Sequence, residues 1–187
     1  MAVSNHAWSG LALFSFRSQQ RLDKILSTMK PGDYLFLQFG HNDQKDKSEG
    51  AGPFTSYKQD LKQFVAATRE KGGNPVVVTP MERRRWKDGQ PQETLTDFAA
   101  AVRQVAQEDN VPLIDLHAMS LRLYAALGEE DSKKAFVFYP ANTFPGQTEE
   151  LKDNSHHNIY GGYELARCIV EGIKTNVPNL AKHLTQD

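Results

Sequence analysis

Cysteine is nearly absent from the 187-residue chain: Cys168 stands alone. That excludes an intrachain disulfide framework and a cysteine-rich zinc module, and its apolar helical neighbourhood marks Cys168 as a buried structural thiol. Long apolar runs are missing as well. No stretch approaches the ~20 residues of a membrane span, and the first residues do not follow the basic-then-apolar layout of a signal peptide, so the chain as written is expected to be soluble. Neither sign of charge is in excess: 22 Lys and Arg against 23 Asp and Glu leave a formal net charge of -1. Such a balance sets up no field that would draw nucleic acid or an acidic membrane. Repeats and low-complexity segments are absent. So are Gly-x-Gly-x-x-Gly and a phosphate-loop lysine, which tells against a flavodoxin-like nucleotide or small-molecule module. Neither Gly-Asp-Ser nor Gly-x-Ser-x-Gly occurs, so no serine nucleophile is marked by its motif.

What the chain does have is alternation. Residues 34–39 are an apolar and aromatic run broken only by Gln38, too short for a helix and set between glycines, which suits a strand covered on both faces. Its polar end, Gly40-His41-Asn42-Asp43, lies where open α/β sheets meet their ligands. A short strand over residues 2–7, ended by Gly10, precedes it, followed from about Phe16 by a helix carrying Leu22, Ile25, Leu26 and Met29 inward. Beyond a surface loop over residues 44–53, Thr55 or Ser56 caps a helix with Tyr57, Leu61, Phe64, Val65 and Thr68 on its inner stripe. Further strands are expected over residues 75–79 and 111–116, and helices over 94–109, 119–127 and from about Asn158, with Pro178 before a short helical tail. Residues 81–92 and 132–152 read as loops, the latter a long surface excursion marked by Pro140, Pro145 and Gly146. The class is α/β: a mainly parallel sheet between two helical layers, as one domain over residues 1–187.

The chemistry gathers near the end. Asp153-Asn154-Ser155-His156 is expected in a loop before the last long helix, where a carboxylate can fix the tautomer of an imidazole three residues on and leave its other nitrogen to take a proton from a hydroxyl. By itself Asp-x-x-His is also a common capping or surface pattern. With its company it is more. Asn5-His6-Ala7-Trp8-Ser9-Gly10, Gly40-His41-Asn42-Asp43 and Asp153-Asn154-Ser155-His156, the last followed by Asn158, Tyr160 and Gly161, resemble in order and spacing the signature blocks of SGNH (GDSL) hydrolases of the rhamnogalacturonan acetylesterase type.

That resemblance implies a three-layer α/β/α sandwich with a flavodoxin-like sheet and a carbohydrate O-acetyl esterase acting by serine-type acyl transfer. Gly10 would supply a backbone N–H and Asn42 a side-chain N–H to the oxyanion, with His156 as base and Asp153 as its orienter. Substrate contacts are expected from His41 and His157, the latter a wall of the site or a surface histidine, and from Arg84 and Trp86, whose alternative is an ordinary solvated loop. The remaining histidines, His6, His117 and His183, read as structural or exposed. No cofactor is implied, and a two-histidine metal site at His156 and His157 is disfavoured because adjacent side chains diverge. The partner would be an acetylated polysaccharide or oligosaccharide, met in an extracytoplasmic, periplasmic or secreted, setting.

The resemblance also fails at one place. The family's first strand, ending in Gly-Asp-Ser, has no counterpart here, so the chain reads as N-terminally truncated and inactive alone, the alternative being a non-catalytic carbohydrate-binding relative. In the order 2-1-3-4-5 that strand is internal, and its loss would leave a gap of about twice the ~4.8 Å strand spacing. The N-terminal strand moving inward, or a homo-oligomer supplying the pairing, would close it.

Overall fold

A computed structural model describes residues 2–185, so Met1, Gln186 and Asp187 lie outside the described residues. Residues 2–8 are mostly exposed and form no strand. Their bonds are short-range, Ala7 N–H to Asn5 Oδ1 and the Ser4 hydroxyl to His6, and among the described residues no strand pairs with them. The helix expected from Phe16 is two: α1 (Leu13–Ser18) and α2 (Arg21–Thr28), parted at Gln20, whose φ of 56° ends one and starts the other. Leu22 and Ile25 are buried as their spacing requires.

The apolar run becomes β1 (Tyr34–Leu37), and the valine run becomes β2 (Asn74–Val78) after Gly72, at φ 74°, closes the intervening helix. That helix, α3 (Lys58–Glu70), is entered through a π-helical turn over Pro53–Tyr57. Thr55 and Ser56 therefore bond within the turn, to Gly50 O and from Gly52 N–H, and do not cap α3. Two pairs of β residues follow, β3 (Trp86–Lys87) and β4 (Gln90–Pro91), then α4 (Thr96–Glu108), β5 (Leu113–Ile114) and α5 (Leu116–Leu127). Of residues 132–152, only 140–150 form an exposed loop. A 3-10 turn over Asp131–Ala135 leads into β6 (Phe136–Tyr139), which pairs antiparallel with β7 (Leu151–His157). Asp153 and His156 thus sit in a strand and not in a loop. Two helices close the chain, α6 (Ile159–Asn176) and α7 (Pro178–Ala181).

The chain forms two compact units, the first from Met1–Pro80, Leu95–Asp115 and Gly172–Asp187, the second from Met81–Thr94 and Leu116–Glu171. In the first, β1-β2-β5 is a parallel sheet with Leu37 beside Val77 and Val77 beside Leu113. Side chains alternate along a strand. One face, with Leu35, Leu37, Val77 and Leu113, packs with Phe16, Ile25, Phe64, Val102 and their neighbours from α1 to α4. The other face carries Ile114, which lies so close to α6 that a Cβ on Gly172 would stand 2.6 Å from its Cγ2. Helix, sheet and helix make three layers. The expected gap in the sheet does not occur, because the segment that would have flanked it is not a strand. β1 is instead an edge of the described sheet, and its residues 34–36 are only half-buried.

The second unit has a smaller core of Tyr124, Ala135 and Phe136, against which Trp86, Leu123, Leu127 and Phe138 pack. Cys168, on α6, is half-buried, more open than its apolar neighbours suggest.

Candidate active site

In the first unit, two loops are tied by one carboxylate. Gly10 closes a turn with φ 81°, a left-handed value that suits glycine, and the chain then enters α1. The N–H of Leu13, without an intrahelical partner at the first position of α1, donates to Asp43 Oδ1 at 2.8 Å. Gly40 N–H donates to Asp43 Oδ2 at 3.0 Å. Between the two, the Asn42 amide donates to Leu11 O at 3.3 Å and accepts from Lys45 Nζ at 2.7 Å. An amide carries two N–H groups. The bond to Leu11 uses one and aims the other. Gly40 itself, at φ 134°, suits glycine, and a Cβ there would crowd Pro80 Cγ at 3.0 Å. Burial raises the Asp43 carboxyl, against the lowering effect of the Leu13 and Gly40 N–H groups. Gly10 and Asn42 are therefore brought together through Leu11 and Asp43, with His41 half-buried in the same loop.

In the second unit, a bulge creates the acid–imidazole pair. Residues three apart on a regular strand face opposite ways. Here Phe136 pairs with His157 and Val137 already pairs with Asp153, so residues 154–156 bulge out of the ladder. The bulge folds back on Asp153: its Oδ1 accepts the N–H groups of Ser155 at 2.6 Å and His156 at 3.0 Å, and its Oδ2 accepts His156 Nδ1–H at 2.7 Å. Burial alone would raise the Asp153 carboxyl, but these bonds outweigh it and bring it below the usual carboxylate range. With Nδ1 donating, Nε2 of His156 keeps its lone pair, on a side chain 73% exposed. Such an arrangement can hold an imidazole in one tautomer with its outer nitrogen open to accept a proton.

His157 is no surface histidine. It packs 4.2 Å from the Phe136 ring, and its Nε2 lies 2.9 Å from the Tyr124 hydroxyl. That hydroxyl donates its one hydrogen to Glu82 O at 3.0 Å, so His157 Nε2–H is the donor to Tyr124. Burial, aided by the charge of His156, holds the His157 pKa down at about 4, and His157 stays neutral. Arg84 is 8% exposed and bound to Ser132, Asn154 and Glu129. Trp86 packs on the Tyr124 core with its Nε1 enclosed. Neither stands in an ordinary solvated loop: Arg84 is occupied by protein acceptors and Trp86 is half-buried.

Sequence reading passed over Asp43, Tyr124 and Glu82. Asp43 had a signal, standing directly after Asn42. The carboxylate of Glu82 is fully buried, accepting from Thr94 N–H at 2.8 Å and from the Thr94 hydroxyl, and lying 2.9 Å from His117 Nε2. A groove of about 480 Å³ runs beside Phe54, Lys58, Lys62 and Ala66, none of them residues singled out from the sequence.

Comparison with known proteins bears on both regions. The model of the GDSL-like lipase/acylhydrolase family matches residues 1–138. The rhamnogalacturonan acetylesterase RhgT of Bacillus subtilis is 40% identical over 183 residues, spanning 97% of this chain and 78% of that protein. The crystal structure of the YxiM protein of Bacillus subtilis superposes with a TM-score of 0.78 at 27% identity over 93% of this chain. The chain spans less than half of that protein, 46%. A variant of Axe2, an acetyl-xylooligosaccharide esterase from Geobacillus, shares the fold at a TM-score of 0.58 and 21% identity, over 88% of this chain and 68% of that one.

Proposed function

Because the chain belongs to the GDSL-like lipase/acylhydrolase family, we propose that it is a carbohydrate O-acetyl esterase acting on pectin-type, rhamnogalacturonan-like polysaccharide. The observation that carries this reading is the 2.7 Å bond from His156 Nδ1–H to Asp153, which leaves the far imidazole nitrogen as a base. In the reaction, a serine Oγ bonds to the acetyl carbonyl carbon while His156 Nε2 takes its proton. The negative charge that develops on the carbonyl oxygen is met by Gly10 N–H and the second N–H of Asn42. The carbon–oxygen bond to the sugar breaks, and His156 returns the proton to the departing sugar oxygen. Water then repeats the sequence on the acetyl-enzyme, releasing acetate. His157, packed on Phe136 and kept neutral by burial, adds no competing charge. The name of RhgT supports the choice of substrate, and an extracytoplasmic setting goes with a polymer of that kind. Self-association along the outer side of β1 belongs to the same reading, since among the described residues β1 pairs with β2 alone.

The attacking serine is not marked in this sequence by Gly-Asp-Ser. The chain alone should therefore hydrolyse an aryl acetate barely above background, and a version extended upstream to Gly-Asp-Ser should turn it over. In the extended version His156→Ala should cost about 10²- to 10⁴-fold in kcat. Undiminished turnover by that variant would refute the role of His156. The missing motif also supports a second reading, a carbohydrate-binding relative without catalysis. Glycan binding with no turnover in the extended protein would select it.

A further inference from the structure

Three arginines stand in a row, and sequence alone does not separate them. Burial does: Arg83 is half-buried, Arg85 is exposed, and Arg84 is buried. A buried guanidinium needs partners for its donors. Arg84 Nε donates to Ser132 Oγ at 3.0 Å, Nη1 donates to Asn154 Oδ1 at 3.0 Å, and Nη2 donates to Glu129 O. Its backbone N–H donates to Asn154 O at 2.7 Å. One residue thus grips Asn154 by main chain and side chain together, while Ser132 and Glu129 hold the far side of the fork.

Asn154 is the first residue of the 154–156 bulge. A bulge forfeits ladder bonds, and its backbone groups must find other partners. The N–H groups of Ser155 and His156 find the Asp153 carboxylate. The carbonyl of Asn154 finds Arg84. We propose that Arg84 is a positioning residue for the Asp153–His156 pair, fixing the bulge in the shape that lets residues three apart on a strand bond to each other. This rests on reading that pair as the catalytic orienter and base. The planar fork meets three acceptors in fixed directions, which a lysine, with one charged point on a flexible stem, cannot reproduce.

The test uses the 187-residue chain and needs no hydrolysis, so its failure is separable from failure of the esterase reading. The Asp153 carboxyl is titrated by ¹³C NMR in Arg84→Lys, Asn154→Ala and Ser132→Ala, with folding checked by circular dichroism. In the first two, the Asp153 midpoint should rise by about 0.5–1 pH unit as its bonds from the bulge loosen. The His156 Nδ1–H signal should broaden with it. Ser132→Ala removes an Arg84 partner that does not touch the bulge, and should lower the melting temperature while leaving the Asp153 midpoint in place. Should Arg84→Lys fail to fold, Asn154→Ala still cuts the side-chain link. An unmoved midpoint in the folded variants, or an equal rise in Ser132→Ala, would overturn the proposal.

Discussion

The Asn42 region and the His156 region solve one problem with opposite charges. Around Asn42 the groups to be gathered are N–H donors, and a buried carboxylate gathers them: Asp43 holds Leu13 and Gly40. Around His156 the groups are oxygens, and a buried guanidinium gathers them: Arg84 holds Ser132, Asn154 and Glu129. In each case the charged side chain stands next to the candidate residue or bonds to its neighbour, and in each it lies largely out of the solvent. The sign of the buried charge matches the groups it meets: two backbone N–H donors at Asp43, and two side-chain oxygens and one carbonyl at the Arg84 guanidinium, while the bulge carbonyl of Asn154 is taken by the Arg84 main-chain N–H. The difference can be broken most directly at Asp43. Asp43→Ala would orphan two N–H groups at about 1–3 kcal/mol each, so a loss of about 2–6 kcal/mol in unfolding free energy is expected from urea titration. A loss under about 0.5 kcal/mol would mean that the two loops hold their shape without the carboxylate.

How much of this the sequence discloses depends on where the signal lies. β1, β2, α3 and α4 were legible because apolar spacing reports burial directly, as at Val76, Val77 and Val78 or Leu61, Phe64 and Val65. β7 was not, because Leu-Lys-Asp-Asn-Ser-His-His has no apolar alternation and owes its strand form to pairing with β6. β6 itself was obscured by Pro140 directly after Tyr139. Residues 2–7 misled in the other direction, being apolar enough for a strand but, among the described residues, paired with none. At the candidate site, Asp153, His156, Gly10 and Asn42 were readable as motif positions. The work of Arg84 was not, since its environment comes from residues 45 to 70 positions away.

Acid should separate the two regions next. His157 has a folded-state pKa of about 4 against an ordinary 6.5, held down by burial first, then by the charge of His156, with Asp153 opposing. Below pH 6.5 the unfolded chain binds a proton there that the folded chain refuses. Stability is therefore full above that pH and falls as acid approaches pH 4, by about 2–3 kcal/mol from this one group. Asp43 runs the other way. Its carboxyl is raised in the fold, so protonation near its folded value relieves a burial cost. Amide hydrogen exchange, corrected for intrinsic rates, should show protection at Phe136 and His157 dropping between pH 6.5 and 4 while Leu13 and Gly40 do not follow. Replacing His157 with Gln, which keeps a donor for Tyr124, should flatten the fall. An equal fall in both regions would end the contrast.

The smallest expected effect tests whether charge is needed at all. Asn158, at the start of α6, donates from Nδ2 to Lys134 O at 2.8 Å and Phe136 O at 2.9 Å, and accepts Gly161 N–H on Oδ1 at 3.0 Å. It thus does with one neutral amide what Asp43 does for donors and Arg84 for acceptors. Neutral hydrogen bonds are roughly half as strong as charge-assisted ones, and a helix cap is worth ~1 kcal/mol. Asn158→Ala should accordingly cost about 1–2 kcal/mol in urea unfolding, less than Asp43→Ala. Asn158→Asp keeps the acceptor for Gly161 and suits the helix N-terminus, but sets a carboxylate against two carbonyls, so it should recover only part of the loss. If Asn158→Ala costs as much as Asp43→Ala, the gathering of backbone groups depends on geometry alone, and the buried charges at Asp43 and Arg84 need a different explanation.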